Sequence, residues 1–168
     1  MTAAAADSTS PTSLDLDRAL AIAAAPAASF ARLWQGLWVQ PYVSAATLEL
    51  CRLALARLHR DELEMSATNP HVEPGTLAAA AREAVLRGSL GSSALAAAEQ
   101  AILEFTECYA LDAQSIPDEV ADAVKGHLGE AGLVFLIEAL GCLDGRIRAA
   151  RCLRDLARHA GAAGAARG

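Results

Sequence analysis

The amino-acid sequence predicts an all-α fold, and two observations support this prediction. Alanine is very abundant, while only 4% of the residues are aromatic. Alanine has the lowest free-energy cost in a helix, and leucine and arginine cost little more. Apolar residues also recur at helical spacings, and runs that alternate with period two are missing. A chain of 168 residues is long enough to bury one core, so we expect a single domain.

The first three predicted helices lie in residues 14–64. The first covers about residues 14–24 and ends before Pro26. The second carries one apolar stripe with helical spacing, made of Phe30, Leu33, Trp34, Leu37 and Trp38. Gln40-Pro41 ends it. Ser44 then caps a helix from Ala45 to about Arg60, which can continue through Glu64.

Three further stretches are predicted to be helical before the last one. The first two cover about residues 76–86, after Pro74-Gly75, and about residues 94–110. Ser115 and Pro117 then supply a capping hydroxyl and a first-turn proline for a helix that stops at Gly126.

The last predicted helix runs from about residue 130 to residue 158. Its first half, residues 131–143, is apolar on every face except at Glu138. A helix that is apolar all round must be surrounded by protein, so we expect this stretch at the centre of the bundle or in a subunit contact.

Charge and hydropathy exclude several classes of function. The net charge is -6 and the chain has one lysine, Lys125, so we expect no nucleic-acid partner. We expect five arginines near the end of the last helix to be exposed to solvent, where cations are favourable beside a helix C-terminus: Arg146, Arg148, Arg151, Arg154 and Arg158. No run of 18 uncharged apolar residues occurs, so no membrane partner is expected.

Domain limits and compartment follow from composition. We expect residues 1–12 to be a disordered leader, residues 13–159 to form the helical domain, and residues 160–168 to be a disordered tail. Four widely spaced cysteines each lie in an apolar helical setting, namely Cys51, Cys108, Cys142 and Cys152. This pattern is typical of buried thiols in a reducing compartment, so we expect a cytoplasmic protein.

Three stretches give the chain a resemblance to a known family. They are residues 46–59, residues 94–105, and Ile116-Pro117-Asp118-Glu119-Val120 followed by the apolar helix with Arg146 near its end. From about Trp38 to Leu153 the order of these features resembles the alkylhydroperoxidase D and carboxymuconolactone decarboxylase family. The resemblance implies an AhpD-like bundle of about six to seven helices that assembles into a homo-oligomer, as a trimer or hexamer.

The resemblance fails at the thiol relay. Peroxidase members of this family carry a glutamate, a Cys-x-x-Cys pair and a histidine that pass protons to the thiols. In this sequence the glutamate falls on Glu49, the cysteine positions hold Asp61 and Glu64, and the histidine position holds Thr68. Carboxylates form no disulfide, so the family's peroxide reduction by this route is excluded.

Glu49 and Glu138 are the predicted catalytic residues. Glu49, Arg52 and Arg60 project from one side of their helix, with His59 at its margin. This pattern fits either an exposed stripe with an i, i+3 ion pair or an acid/base group that lines a pocket. Glu138 fits either a buried carboxylate with a raised pKa or a structural ion pair.

Binding residues complete the predicted site. We expect Arg52, His59 and Trp38 to contact a small-molecule ligand, although the stripe with Trp34 and Trp38 also fits a core or an interface. Two histidines and three carboxylates suggest a metal site: His59, Asp61, Glu62, Glu64 and His71. Because their spacing follows no known motif, we expect no metal and no cofactor.

Two functions from different classes remain open at this point. The first is a cofactor-independent acid/base enzyme, such as a decarboxylase or isomerase, that acts on a small, partly apolar molecule. The second is a non-catalytic, oligomeric ligand-binding or scaffold protein with the same fold. A peroxidase that uses a lone thiol such as Cys51, or a metal-dependent enzyme, is a weaker alternative. An apolar cavity with an inward carboxylate favours the enzyme, and a filled bundle favours the scaffold.

Overall fold

The computed structural model describes residues 11–165, with side chains as far as residue 159. Within these residues there are seven α-helices and one 3-10 turn, and no strand, which confirms the all-α prediction. The helices are α1 (Asp17–Leu20), α2 (Ala25–Leu37), α3 (Ala45–Leu58), α4 (Glu62–Ser66), α5 (Ala79–Arg87), α6 (Ala97–Asp112) and α7 (Asp118–Ala165). The predictions for residues 1–10 and 166–168 lie outside the described residues.

Helix α3 lies at the centre of the bundle. It packs against α4, α5, α6 and α7, and every residue from Thr47 to Ala56 is buried. The larger apolar cluster joins α3 to α2, α6 and α7 and includes Trp34, Phe105 and Leu140. A smaller cluster joins α3 to α5 and α6 around Leu103. Because α3 is covered on all sides, its charged residues are forced into the core.

The start of α3 follows the prediction, and its end lies two residues before the predicted Arg60. Ser44 caps the helix, since its Oγ accepts a hydrogen bond from the backbone N–H of Thr47 at 3.0 Å. The helix ends at Leu58 and does not continue through Glu64. Arg60 adopts a left-handed conformation (φ 54°), and Asp61 then caps the separate helix α4. This turn redirects the chain so that α4 folds back over α3.

Helix α7 contains the two last predicted helices, joined at a break. Gly129 has φ 72° and ψ 177°, a conformation that glycine adopts without the steric cost of a side chain. The break lies three residues after Gly126, where the sequence predicts the helix end. At its other end α7 extends to Ala165, past the expected domain limit at residue 159.

The apolar half of α7 is covered on one side only. Leu136 and Leu140 are fully buried, whereas Val134 and Ile137 are 57% and 43% exposed. The expectation that residues 131–143 lie at the centre of the bundle is therefore wrong, because the described helices pack against a single face of α7. The alternative, a subunit contact, stays a prediction.

By length and composition alone, α7 also qualifies as a possible membrane span. The stretch Asp118–His159 contains a window with a mean hydropathy of 1.4, of which 28% is buried. One such helix is weak support for a membrane location, since core helices of soluble proteins meet the same criterion. The expectation of no membrane partner stays a prediction.

Candidate functional site

A buried network of charged groups joins α3 to α4. Arg52 is fully buried and donates to both carboxylate oxygens of Glu49, from Nε to Oε2 at 2.8 Å and from Nη2 to Oε1 at 2.7 Å. Its Nη1 donates to Oε2 and to the backbone O of Glu64, each at 3.0 Å. The predicted i, i+3 pair of Glu49 and Arg52 is present. The expectation that it is exposed is wrong, because α4 and the following loop cover this face of α3.

Glu64 is sealed inside this network. Its Oε1 accepts from the backbone N–H of Ser13 at 2.5 Å, and its Oε2 accepts from the Ser13 Oγ at 2.7 Å. Burial raises the pKa of Glu64, although the hydrogen bonds from Ser13 and the charge of Arg52 act in the opposite direction. Glu64 thus accepts four hydrogen bonds from Ser13 and Arg52, and it joins α4 to α3 and to the segment around Ser13.

Two arginines of α7 hold residues 11–17, which we term the N-terminal strap. Arg146 donates from Nε to the backbone O of Ser13 at 2.8 Å and from Nη1 to Asp17 Oδ1 at 2.7 Å. Arg154 donates from Nη1 to the backbone O of Pro11 at 2.6 Å. Both arginines are buried, so the prediction that they lie in a solvated helix end is wrong. Pro11 is anchored here, although the sequence places it in the leader.

The positions that the resemblance assigns to the relay hold paired carboxylates. Asp61 forms an ion pair with Arg154, and its Oδ1 accepts from the backbone N–H of Glu64 at 3.3 Å. Glu64 pairs with Arg52. Thr68, at the histidine position, is exposed in the loop after α4. Each acidic side chain in place of a thiol is thus matched by an arginine.

Glu49 also lines a cavity of about 390 Å³ with a mixed polar and apolar lining, between α3 and the loop before α5. Asn69 donates from Nδ2 to Glu49 Oε2 at 2.6 Å. Together with the two bonds from Arg52, this places three N–H donors on the Glu49 carboxylate. A substrate proton would have to compete with these donors for the same two oxygens. We name this space the Glu49 cavity.

A second cavity, of about 470 Å³, separates the N-terminal helices from α7. It is lined mainly by apolar side chains, and we term it the apolar cavity. Its lining comprises Leu16, Leu20, Ala23, Pro26, Ala27, Phe30, Leu33, Glu138, Gly141, Cys142, Gly145, Arg146 and Ala149. A volume of this size is typical of small-molecule sites.

The apolar cavity corrects the prediction for the stripe on α2. Trp34, Leu37 and Trp38 are buried, as expected of a core stripe. Phe30 and Leu33, one turn earlier, are more than half exposed and form one wall of the cavity. The cavity separates this end of α2 from α7, so Phe30 and Leu33 are not covered by α7.

Glu138 lies at the exposed rim of the apolar cavity. Its predicted burial is wrong, since the side chain is exposed, as is that of the neighbouring Ile137. Helix α7 buries Leu136, Ala139 and Leu140 against the bundle and turns the residues between them outward.

Trp38 belongs to an aromatic cluster beside the apolar cavity. The rings of Trp34 and Trp38 meet edge to face at 5.1 Å, and His71 stacks on Trp38 at 5.3 Å. The guanidinium carbon of Arg146 lies 4.2 Å from the centre of the Trp34 ring. Burial, followed by the charge of Arg146, lowers the pKa of His71. His71 is therefore held in its neutral form near pH 7.

The three predicted binding residues lie in three separate places. Arg52 belongs to the buried network and Trp38 to the aromatic cluster. His59 lies at the end of α3, with Nε2 2.5 Å from Asp144 Oδ1 of α7. Asp144 also accepts a hydrogen bond from Arg148. None of the three lines the apolar cavity among the residues that the structure describes.

The residues considered for a metal site are also dispersed. His59 pairs with Asp144, Asp61 with Arg154, and His71 stacks on a tryptophan. In residues 11–159 no group of three or more His, Cys, Asp or Glu side chains is arranged to hold a metal ion.

The four cysteines are all free within the described residues, but only Cys51 is fully buried. Cys152 is exposed, so the prediction of a buried thiol is wrong at that position. Cys51 is fully buried, and burial raises the pKa of its thiol to about 12. Burial also raises the pKa of Cys142. A nucleophilic thiol must be deprotonated near neutral pH, so neither group is prepared for peroxide chemistry.

Three residues of these sites escape prediction from the sequence. Ser13 and Asn69 lie far along the chain from their partners Glu64 and Glu49, and no local pattern marks them. Arg146 offers a signal, since it follows a long apolar stretch of one helix. A cation at this position must either be exposed or donate hydrogen bonds to buried acceptors. Ser13 and Asp17 provide these acceptors.

Comparison with protein-family models, with curated proteins and with solved structures finds no match to this chain. The resemblance to the alkylhydroperoxidase D and carboxymuconolactone decarboxylase family therefore stays a prediction.

Proposed function

We propose that this chain is a divergent relative of the alkylhydroperoxidase D and carboxymuconolactone decarboxylase family that binds a small, largely apolar molecule without transforming it. The apolar cavity between α2 and α7 is the observation that carries this proposal. Binding there needs no cofactor, because burial of apolar surface supplies the free energy. We further propose a cytoplasmic location, which the four free cysteines support.

The state of the carboxylates favours binding over catalysis. Glu49 lies outside the apolar cavity and is held by three N–H donors. Glu138 reaches the apolar cavity only at its exposed rim. A general base needs a free lone pair held within reach of the substrate proton, whereas the oxygens of Glu49 are taken up by donors and Glu138 lies at an exposed rim.

The exposed apolar side chains of α7 support the proposed homo-oligomer. Val134 and Ile137 are exposed beside Tyr42 and Phe135, whose rings stack at 5.6 Å. Contiguous apolar surface on a small soluble protein marks an interaction site, and a second copy of the chain would cover it. The proposed trimer or hexamer would leave the apolar cavity near this contact.

Filling the apolar cavity tests the binding function. Gly145 lines the cavity, and a Cβ added there meets no atom within 4 Å. We expect Gly145→Leu to weaken binding of the uncharged fluorescent probe N-phenyl-1-naphthylamine by about tenfold, since the leucine occupies the space. The matched control is Gly126→Leu, which also lies on α7 in open space but outside the cavity. Equal probe affinity in both variants would contradict the proposal.

The acid/base enzyme is the second candidate, and one observation favours it. Glu49 lines a cavity of ligand size together with Asn69 and Arg82. If an acid/base reaction occurs there, Glu49→Gln abolishes turnover while probe binding in the apolar cavity is unchanged. Turnover that survives in Glu49→Gln would discard this assignment.

A further inference from the structure

Arg146 carries a buried donor that the protein leaves unused. Its Nε binds Ser13 and its Nη1 binds Asp17, but Nη2 has no acceptor among the residues that the structure describes. The whole side chain is only 5% exposed. A buried cationic N–H without an acceptor is costly, and proteins rarely retain one without a role for it.

The unused donor lies where two features of the molecule meet. Arg146 forms part of the wall of the apolar cavity, and its guanidinium covers the Trp34 ring. The indole N–H groups of Trp34 and Trp38 are likewise buried without an acceptor in the described part of the chain. Of these three donors, the one on Arg146 belongs to a residue of the cavity wall, which favours an occupant that supplies an acceptor there.

We propose that the apolar cavity recognises a small molecule with one carboxylate and an otherwise apolar body, whose carboxylate binds Arg146. This inference rests on the proposed binding function and names the chemical class of its ligand. A carboxylate has acceptors only, and guanidinium groups bind it through charge-assisted hydrogen bonds. The apolar body then lies along Phe30 and Leu33, towards the opening.

The charges around the cavity agree with this orientation. Arg146 is buried at its inner end, and Glu138 is exposed at its rim. Electrostatic interactions are strong at a buried site and are screened by water and salt at an exposed one. Asp17 neutralises part of the Arg146 charge from the other edge of the guanidinium, and it is itself a third exposed, with 35% of its side chain accessible. An anion at the inner end would therefore meet the buried Arg146, while the charge of Glu138 at the rim is screened by solvent.

Titration with matched eight-carbon ligands tests this inference directly. The two tryptophans of the chain, Trp34 and Trp38, both belong to the aromatic cluster, so intrinsic fluorescence reports on this site. We expect octanoate to bind at least about tenfold more tightly than octan-1-ol at pH 7, because only the carboxylate pairs with Arg146. We expect octylamine to bind more weakly than either.

A pair of arginine variants separates recognition from structural support. Arg146→Lys keeps the charge but removes the guanidinium edge, and we expect it to reduce the preference for octanoate over octan-1-ol to about threefold or less. The control is Arg154→Lys, on the same helix and holding the same strap but outside the cavity. We expect Arg154→Lys to keep the wild-type preference.

The outcomes distinguish the two proposals. Equal affinities for octanoate and octan-1-ol in the wild-type protein, or tighter binding of octylamine, overturn the carboxylate inference while leaving apolar binding intact. No response to any of the three ligands overturns the proposed binding function. Because this comparison uses the wild-type protein, it stands even if Arg146→Lys fails to fold.

Discussion

Removal of the Arg52 guanidinium should strongly destabilise the protein. Arg52→Met keeps most of the apolar stem but deletes four hydrogen bonds, two to Glu49 and two to Glu64. Both carboxylates stay buried in the variant. Glu49 loses its bidentate partner, and Glu64 loses the nearer of its two arginine partners. Breaking a buried ion pair on one side costs about 3–5 kcal/mol of the free energy of unfolding. For a domain of this size we expect the melting temperature to fall by about 6–20 °C.

Urea unfolding followed by far-UV circular dichroism measures this loss. The control is Arg87→Met, which breaks the exposed i, i+4 pair of Arg87 with Glu83 on α5. We expect that control to change the free energy of unfolding by about 0.5 kcal/mol or less. The loss in Arg52→Met should also shrink as the pH falls, because protonation neutralises the stranded carboxylates and so stabilises the folded state relative to higher pH. A loss no larger than that of Arg87→Met would refute the structural role of the network.

Three further predictions follow from single side chains. Burial and the charge of Arg146 lower the pKa of His71 below 6.5. The unfolded chain therefore binds the proton more readily, and the folded state loses stability as the pH falls below 6.5. In urea titrations His71→Phe should lose less stability than the wild type between pH 7 and pH 5, and parallel curves for the two proteins would contradict this. Ile137→Glu should convert the proposed oligomer to a monomer of 17.4 kDa in light scattering, whereas Leu111→Glu, on the even more exposed Leu111 of α6, should not. An unchanged mass in Ile137→Glu would count against this interface. Ser44→Ala should cost about 1 kcal/mol in thermal unfolding through loss of the α3 cap, and an unchanged melting temperature would exclude that contribution.

Local sequence patterns predict much of the fold. The helical propensity of alanine-rich stretches and the capping hydroxyl of Ser44 depend on neighbours within one turn, and both are seen in the structure. The i, i+3 spacing of Glu49 and Arg52 likewise predicts their pairing. The spacing does not predict the position of α4. This helix covers the pair, so that the ion pair is buried and not exposed.

The parts of the site that escape prediction depend on contacts between distant segments. Ser13 binds Glu64 across 51 positions, and Arg154 binds Asp61 across 93 positions. No periodicity within a helix reports such pairs. Glu138 shows the converse case: an apolar local sequence predicts burial, but only packing determines which face of α7 is covered.

Nuclear magnetic resonance of the ¹⁵N-labelled protein during titration with octan-1-ol tests most directly whether the apolar cavity is the ligand site. Glycine amides report on both cavities, since Gly141 and Gly145 line the apolar cavity and Gly75 lines the Glu49 cavity. We expect the amide signals of Gly141 and Gly145 to shift with the added ligand while that of Gly75 stays in place. A shift of Gly75 with Gly141 and Gly145 unchanged would contradict the proposed binding site and favour a reaction at Glu49.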